Sequence, residues 1–249
     1  MFNFSRLTIP RDLSKEGVDD CESTLAYDRV SRWPFFKLIR FFVIRELLKY
    51  RPQGTLLDCG CGPGYLALEI ALHLPQLRIT GIDIADDMLK LASSHLSTVK
   101  YQPQVSLIKA DIQRLPFEDS SFDFAVSTLS LHHWSDPHQA LREIHRVLKS
   151  GGQMLIFDLR RDMPGILFGL ISGVQRFLAP RPIRRINGGA GSVWSSYTPA
   201  EMQDLLRNSP FNIGKIQARW GWAYLRGQKN KIIKADRTAE KLIDRRQSA

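Results

Sequence analysis

The chain has 249 residues, 43% of them hydrophobic and 24% charged, which fits one globular domain with a decorated periphery and excludes the disordered, collagen-like and coiled-coil classes. Its net charge of +10 is unevenly placed: residues 1–150 hold 18 basic and 18 acidic side chains, residues 151–249 hold 17 and 7. With no run near the roughly 20 apolar residues of a membrane span, no signal-peptide core at the start, and three cysteines, Cys59 and Cys61 too close to bridge, a cytoplasmic, reducing location is expected.

Residues 1–24 mix charge and turn formers without period and are expected to form a mobile arm. From Tyr27 to Lys49 apolar residues recur at helical spacing, which predicts one leading helix despite Pro34. Thr55 to Asp58 reads as a strand, followed by glycines and a helix from Tyr65 to Leu74. The unit repeats with a strand over Arg78 to Ile84 and a helix opened by Asp86 and Asp87, whose carboxylates suit a helix N-terminus. Third, fourth and fifth strands are read at 105–109, 121–127 and 153–158. Between the last two, Asp136-Pro137 starts a helix striped by Ala140, Leu141, Ile144 and Val147.

Strands alternating with helices predict a doubly wound α/β fold: a mostly parallel, Rossmann-like, seven-stranded sheet with helices on both faces, its core spanning residues 25–158. Residues 159–197 break the rhythm with prolines and glycines around an apolar stretch, read as a cap inserted after strand five. Thr198-Pro199-Ala200-Glu201 is a capping-box helix start, and strands near 213–220 and 223–226 complete the core over 198–227. A basic tail fills 228–249.

The strongest motif is Asp58-Cys59-Gly60-Cys61-Gly62-Pro63-Gly64, where the first strand meets its helix. Its glycines allow close backbone approach by a ligand, and Asp58 at the strand tip can accept hydrogen bonds from an ammonium group. The spacing differs from the G-x-G-x-x-G of dinucleotide folds, and a carboxylate there repels a pyrophosphate. About 20 residues on, Asp83 ends the next strand, where an acid clasps ribose hydroxyls. Asp111 follows the third strand, placed either to accept from an adenine amino group or to make a turn.

With these motifs in order, and with Pro116-Phe117 through Phe122-Asp123, Leu131-His132-His133-Trp134 and Glu143 to Lys149 before Gly151-Gly152, the chain resembles the class I S-adenosylmethionine-dependent methyltransferases, in particular the small-molecule group that includes quinone-biosynthesis enzymes. The resemblance implies S-adenosyl-L-methionine as cofactor and a small, hydrophobic acceptor. It places Asp58 and Gly60 on the methionine part, Asp83 and Ile84 on the ribose and adenine edge, Asp111 and Ile112 on the adenine, and Ser127 on the sulfonium side. Cys61, Gly62, Gly64 and Met88 complete the expected cofactor set.

Displacement at a sulfonium needs alignment, water exclusion and, for some acceptors, a base, for which His133 and then His132 are the candidates, at the end of the fourth strand. No His/Cys cluster has metal spacing, so no metal is expected. Ser127-Thr128-Leu129-Ser130 stands where base-methylating enzymes carry Asn- or Asp-Pro-Pro-aromatic, so a nucleic-acid substrate is not expected. The apolar stretch 166–178 is suited to line a hydrophobic acceptor pocket, to lie on a membrane surface or to pack as a core helix, and with its flanking arginines it has the composition of a segment that touches anionic lipid. The alternative function is a non-catalytic module that binds nucleic acid or a partner through its basic C-terminal third. The sequence leaves oligomeric state open.

Overall fold

The computed structural model describes residues 6–7, 10–12, 21–99, 104–211 and 213–231. Helices α1 (Cys21–Ser31) and α2 (Pro34–Leu48) precede β1 (Thr55–Cys59), α3 (Tyr65–His73), β2 (Arg78–Asp83), α4 (Asp86–Ser97), β3 (Val105–Lys109) and β4 (Phe122–Thr128). A 3₁₀ turn over Leu131–His133 leads to α5 (Pro137–Val147) and the long β5 (Leu148–Leu159). Then come α6 (Gly165–Phe177), α7 (Arg181–Arg185), α8 (Gly188–Ser195), α9 (Pro199–Arg207), β6 (Ile213–Ala218) and β7 (Trp222–Gln228).

Among the described residues seven strands form one sheet in the order β3-β2-β1-β4-β5-β7-β6. Order reverses on either side of β1, which pairs in parallel with both β2 and β4, so a crevice opens at the carboxyl ends of these strands. Alternation of side chains across the sheet builds two cores. Leu57, Met154 and Ile156 face a cluster with Leu141 and Ile144 of α5 and Leu205 of α9. Leu56, Leu155 and Phe157 face the opposite cluster with Val43 and Leu47 of α2 and Ile70 of α3. The β4–β5 register shifts between Phe122 and Phe124, and the two rings join opposite clusters.

Local signals act as read. The Asp136 side chain accepts from the Gln139 amide at 2.9 Å, and the Thr198–Glu201 box closes reciprocally. Three expectations change. The sheet is mixed, because β7 runs antiparallel to both β5 and β6; only a short link separates β6 from β7, too little chain for the crossover a parallel pair requires. The leading helix is two helices: Pro34 lacks the amide and the clearance needed in a helix interior, so it starts α2, and Trp33 before it is extended at φ −66° and ψ 154°.

The arm expected over 1–24 overlaps α1, and its described residues are tied down. Leu7 donates to the Met163 carbonyl and Asp12 to that of Trp194. The rest of that arm, and residues 232–249 of the expected basic tail, lie outside the described residues.

Ile144 is fully buried between α5 and the sheet. Ile144→Ala removes three carbons from a packed site and is expected to cost about 2–5 kcal/mol, read as a lower urea midpoint at unchanged slope. A loss below about 1 kcal/mol would show that this face is not tightly packed.

Candidate functional site

The turn after β1 shows why glycine stands where it does. Gly60, Gly62 and Gly64 all adopt positive φ, at 72°, 51° and 78°, a region that costs side chains with a Cβ. A Cβ on Gly60 would lie 2.2 Å from Ser130 Oγ, and one on Gly64 would lie 2.8 Å from Ala92 Cβ of α4, so both glycines are demanded by the fold itself. At Gly62 a Cβ would meet nothing within 4 Å. That glycine borders open space, so the fold itself asks only for its positive φ, and the backbone there is open to close approach by a ligand.

Two carboxylates converge on the turn. Asp58 is 1% exposed, and its Oδ2 has no hydrogen-bond partner among the described residues. Burial, reinforced by the nearby Asp83 charge, pushes its pKa up to about 7. Asp83 ends β2, where its Oδ2 accepts from the Gly62 amide at 2.8 Å and its Oδ1 from the Ala85 amide at 3.0 Å. Burial pushes this carboxyl up as well, against the pull of those amides. A buried acid and a half-buried one, with no cation bonded to either among the described residues, form a site of negative potential whose complement is a cationic ligand. Each Asp83 oxygen keeps a second lone-pair site for a hydroxyl.

The remaining expected cofactor residues are placed unequally. Ile84 is 66% exposed at the end of β2, an apolar surface at the mouth of the crevice. Cys61 and Met88 are buried, and burial pushes the Cys61 thiol up, so it is no thiolate nucleophile. Asp111 makes a turn, accepting from the Gln113 amide at 2.8 Å, and Ile112 packs into the core of the α5 face. Ala110 donates to the Asp83 carbonyl, so this turn lies beside the end of β2. Ser127 is buried and its hydroxyl donates to the Cys59 carbonyl at 2.8 Å, which bolts β4 to β1 and leaves that hydroxyl's one proton committed.

The histidines differ sharply. His133 is exposed, whereas His132 is 2% exposed and faces Asp158, 1% exposed. His132 Nδ1 lies 2.7 Å from Asp158 Oδ1, and the His132 amide donates to Oδ2 at 3.0 Å. A carboxylate acceptor there fixes the proton on Nδ1, which makes Nε2 the basic nitrogen of the neutral ring. Arg11 crosses the same end: its Nε donates to the Ser195 carbonyl at 2.7 Å, and its guanidinium lies 3.8 Å over the Tyr197 ring. Sequence reasoning missed Asp158, Tyr197 and Arg11. Asp158 had a signal, since it is a carboxylate at a strand end like Asp58 and Asp83; Arg11 had none, because its place depends on a contact across 184 residues.

Comparison with known proteins follows the same lines. The family model described as a methyltransferase domain matches residues 57–156. A ubiquinone/menaquinone biosynthesis C-methyltransferase of Geobacter sp. (strain M21) is 35% identical over 175 residues, covering 70% of this chain and 68% of that protein. Its namesake from Geotalea daltonii is 33% identical over 149 residues, covering 57% of this chain and 63% of its own length, so this chain spans under two thirds of that relative. Among solved structures, a putative S-adenosyl-L-methionine-dependent methyltransferase from Methanococcus maripaludis superposes with TM-score 0.66 at 20% identity, covering 87% of this chain and 96% of that one.

The glycines separate folding from binding. Gly60→Ala is expected to destabilise the chain by about 1–3 kcal/mol or more, from strain plus the clash with Ser130. Gly62→Ala meets no clash and carries only the positive-φ strain, about 1 kcal/mol, so it lowers the melting temperature less than Gly60→Ala does, but it weakens S-adenosylhomocysteine binding at least tenfold in calorimetry. Unchanged affinity in Gly62→Ala would mean that no ligand approaches that turn.

Proposed function

Given that the chain belongs to the class I S-adenosylmethionine-dependent methyltransferases, we propose that it methylates a small, hydrophobic, quinol-like acceptor. The observation that carries the cofactor half of this reading is the buried Asp58 carboxylate with an unpartnered oxygen, near enough to Asp83, which holds the Gly62 amide, to feel its charge. An α-ammonium group supplies the missing partner, and its positive charge offsets the mutual repulsion of Asp58 and Asp83. Asp83 would offer lone pairs to the ribose hydroxyls, exposed Ile84 would give the adenine an apolar surface, and the Asp111–Ile112 turn would lie on the base side. Ser127, Cys61 and Met88 shape the floor of the site rather than donate to it.

S-adenosylmethionine, when bound, supplies an electrophilic methyl group on its sulfonium. The protein's part is alignment, exclusion of water and removal of one proton from the acceptor. His132 is the better placed base: Asp158 holds its ring and tautomer, so Nε2 would take the proton of an acceptor hydroxyl as the carbon–sulfur bond to the methyl group breaks, and would pass it to water; if a ring carbon receives the methyl group, that carbon loses its own proton to restore the hydroxyl, so one proton in all is released. A hydroxylated ring becomes a stronger nucleophile as that proton leaves. His133, exposed and outside this pair, is the lesser candidate. Residues 159–197, with Tyr197 and the strap of Arg11, are read as the cap on the acceptor side. An apolar acceptor resides in a lipid bilayer, and the arginine-bearing helices of this segment offer a means of reaching one.

The relatives, named as ubiquinone/menaquinone biosynthesis C-methyltransferases, support a quinone-like acceptor. The non-catalytic alternative loses two of the cations of the basic third, Arg160 and Arg161, which are buried in internal ion pairs. Arg160 binds Asp162 and the Arg219 carbonyl, and Arg161 binds Glu201 and the Ser196 carbonyl.

The test is transfer of labelled methyl from S-adenosylmethionine to a demethylated naphthoquinol. Labelled product is expected, with turnover lowered about 10²-fold in His132→Ala, less than about threefold in His133→Ala, and S-adenosylhomocysteine affinity preserved in both. Tight cofactor binding with no transfer to any quinol would overturn the acceptor class, and full turnover in His132→Ala would leave that side chain a structural role only.

A further inference from the structure

Helix α6 is apolar on two sides, and only one of them is covered by the described residues. Leu167, Phe168 and Ile171 pack inward with Met163 and Val193. On the other side Ile166, Leu170 and Phe177 are 62%, 63% and 76% exposed, with Leu178 following at 69%. Spacings of four and seven residues align the first three along one face. Gly173 lies between them, and a Cβ there would meet nothing within 4 Å, so the stripe is bare over its length. Large exposed side chains in a row cost solvation that a soluble domain ordinarily avoids.

The surrounding charge identifies the occupant. From Met163 to Ala200 the chain has four arginines, Arg176, Arg181, Arg184 and Arg185, and no acidic residue. The first three are exposed, while Arg185 lies 3.6 Å from Glu22. We propose that α6 lies in the plane of an anionic bilayer, its Ile166–Leu170–Phe177 stripe among the acyl chains and the α6–α7 arginines on the phosphates. At 13 residues α6 is about 20 Å long, too short to cross a hydrocarbon core, and no described helix is long and apolar enough to do so. A second copy of this chain is a poorer occupant, because a two-fold contact would set these arginines against their own equivalents with no acid in the segment to pair them. Nucleic acid would answer the charge and leave the apolar stripe in water.

Phe168, which sequence alone groups with the lipid-facing residues, is excluded from the contact because it packs against Trp194 at 6.1 Å between ring centroids. The helix is joined through Val193 to α8, whose last residue Ser195 receives Arg11 at the acceptor end. A bilayer seated on α6 therefore lies next to the segment proposed to cap the acceptor. Vesicle binding needs neither cofactor nor acceptor, so its failure would leave the proposed methyl transfer untouched.

The experiment is co-sedimentation of the full chain with vesicles of phosphatidylglycerol and phosphatidylcholine, and with phosphatidylcholine alone, at low salt. Wild type is expected to sediment with the anionic vesicles and not with the neutral ones. Leu170→Ser with Phe177→Ser is expected to weaken partition at least tenfold, and Arg181→Gln with Arg184→Gln about fivefold for each arginine removed. Both double variants alter exposed side chains, so each should keep wild-type melting and S-adenosylhomocysteine affinity. Absence of sedimentation, full binding by the apolar double variant, an equal loss of DNA-duplex binding in that variant, or a dimer that it dissociates while vesicles are ignored would each overturn the proposal.

Discussion

A carboxylate buried without a partner for one of its oxygens is among the costliest groups a domain can hold, and the architecture is arranged around keeping Asp58 in that state. The central strand β1 carries it, flanked on both sides by parallel neighbours, with Leu56 and Leu57 anchoring the strand in opposite cores. Such a strand cannot slide by one residue without exchanging its two faces. The acid is thereby delivered to a fixed height at the sheet's carboxyl edge. The turn that follows must reverse into α3 within a few residues while staying close to a ligand, and three positive-φ glycines make this feasible.

The turn is also braced from behind. His95 of α4 hydrogen-bonds the Pro63 carbonyl at 2.8 Å and stacks on Tyr65, the first residue of α3. The Tyr65 hydroxyl donates to Asp28 of α1 at 2.8 Å, and Asp28 also accepts from Arg32. The α1 helix therefore helps to hold the glycine turn in place, while the Arg11 strap lies over the acceptor end. Both ends of the crevice depend on residues that precede the sheet.

Legibility in the sequence followed the range of the forces involved. Strands, helix caps and the glycine turn rest on local periodicity and local backbone demands, so β1, β2, the Asp136 cap and the Thr198 box could be read directly. Pro34 was visible, but a strong apolar period masked its effect. The direction of β7 was implicit in the short gap between the last two strands. The His132–Asp158 pair joins residues 26 apart through two neighbouring strand ends, and Arg11 reaches Ser195 across the fold. Neither contact leaves a trace in local pattern, although the place of Asp158 at a strand end is visible there. Ser127 and Asp111 show the converse limit: a polar residue at a strand end can serve the sheet or a turn as readily as a ligand.

The central claim is that Asp58 awaits a cation, and proton exchange on binding measures this directly. In the free chain its carboxyl titrates at about 7, so near pH 6 it is mostly protonated. A bound ammonium stabilises the carboxylate, lowers that pKa and expels the proton, so affinity should rise with pH up to about 7 and level off above it. Calorimetry of S-adenosylhomocysteine binding at pH 6, in buffers of different ionisation enthalpy, should show release approaching about one proton for wild type and almost none for Asp58→Asn. Binding that releases no proton in the wild-type chain would contradict the account.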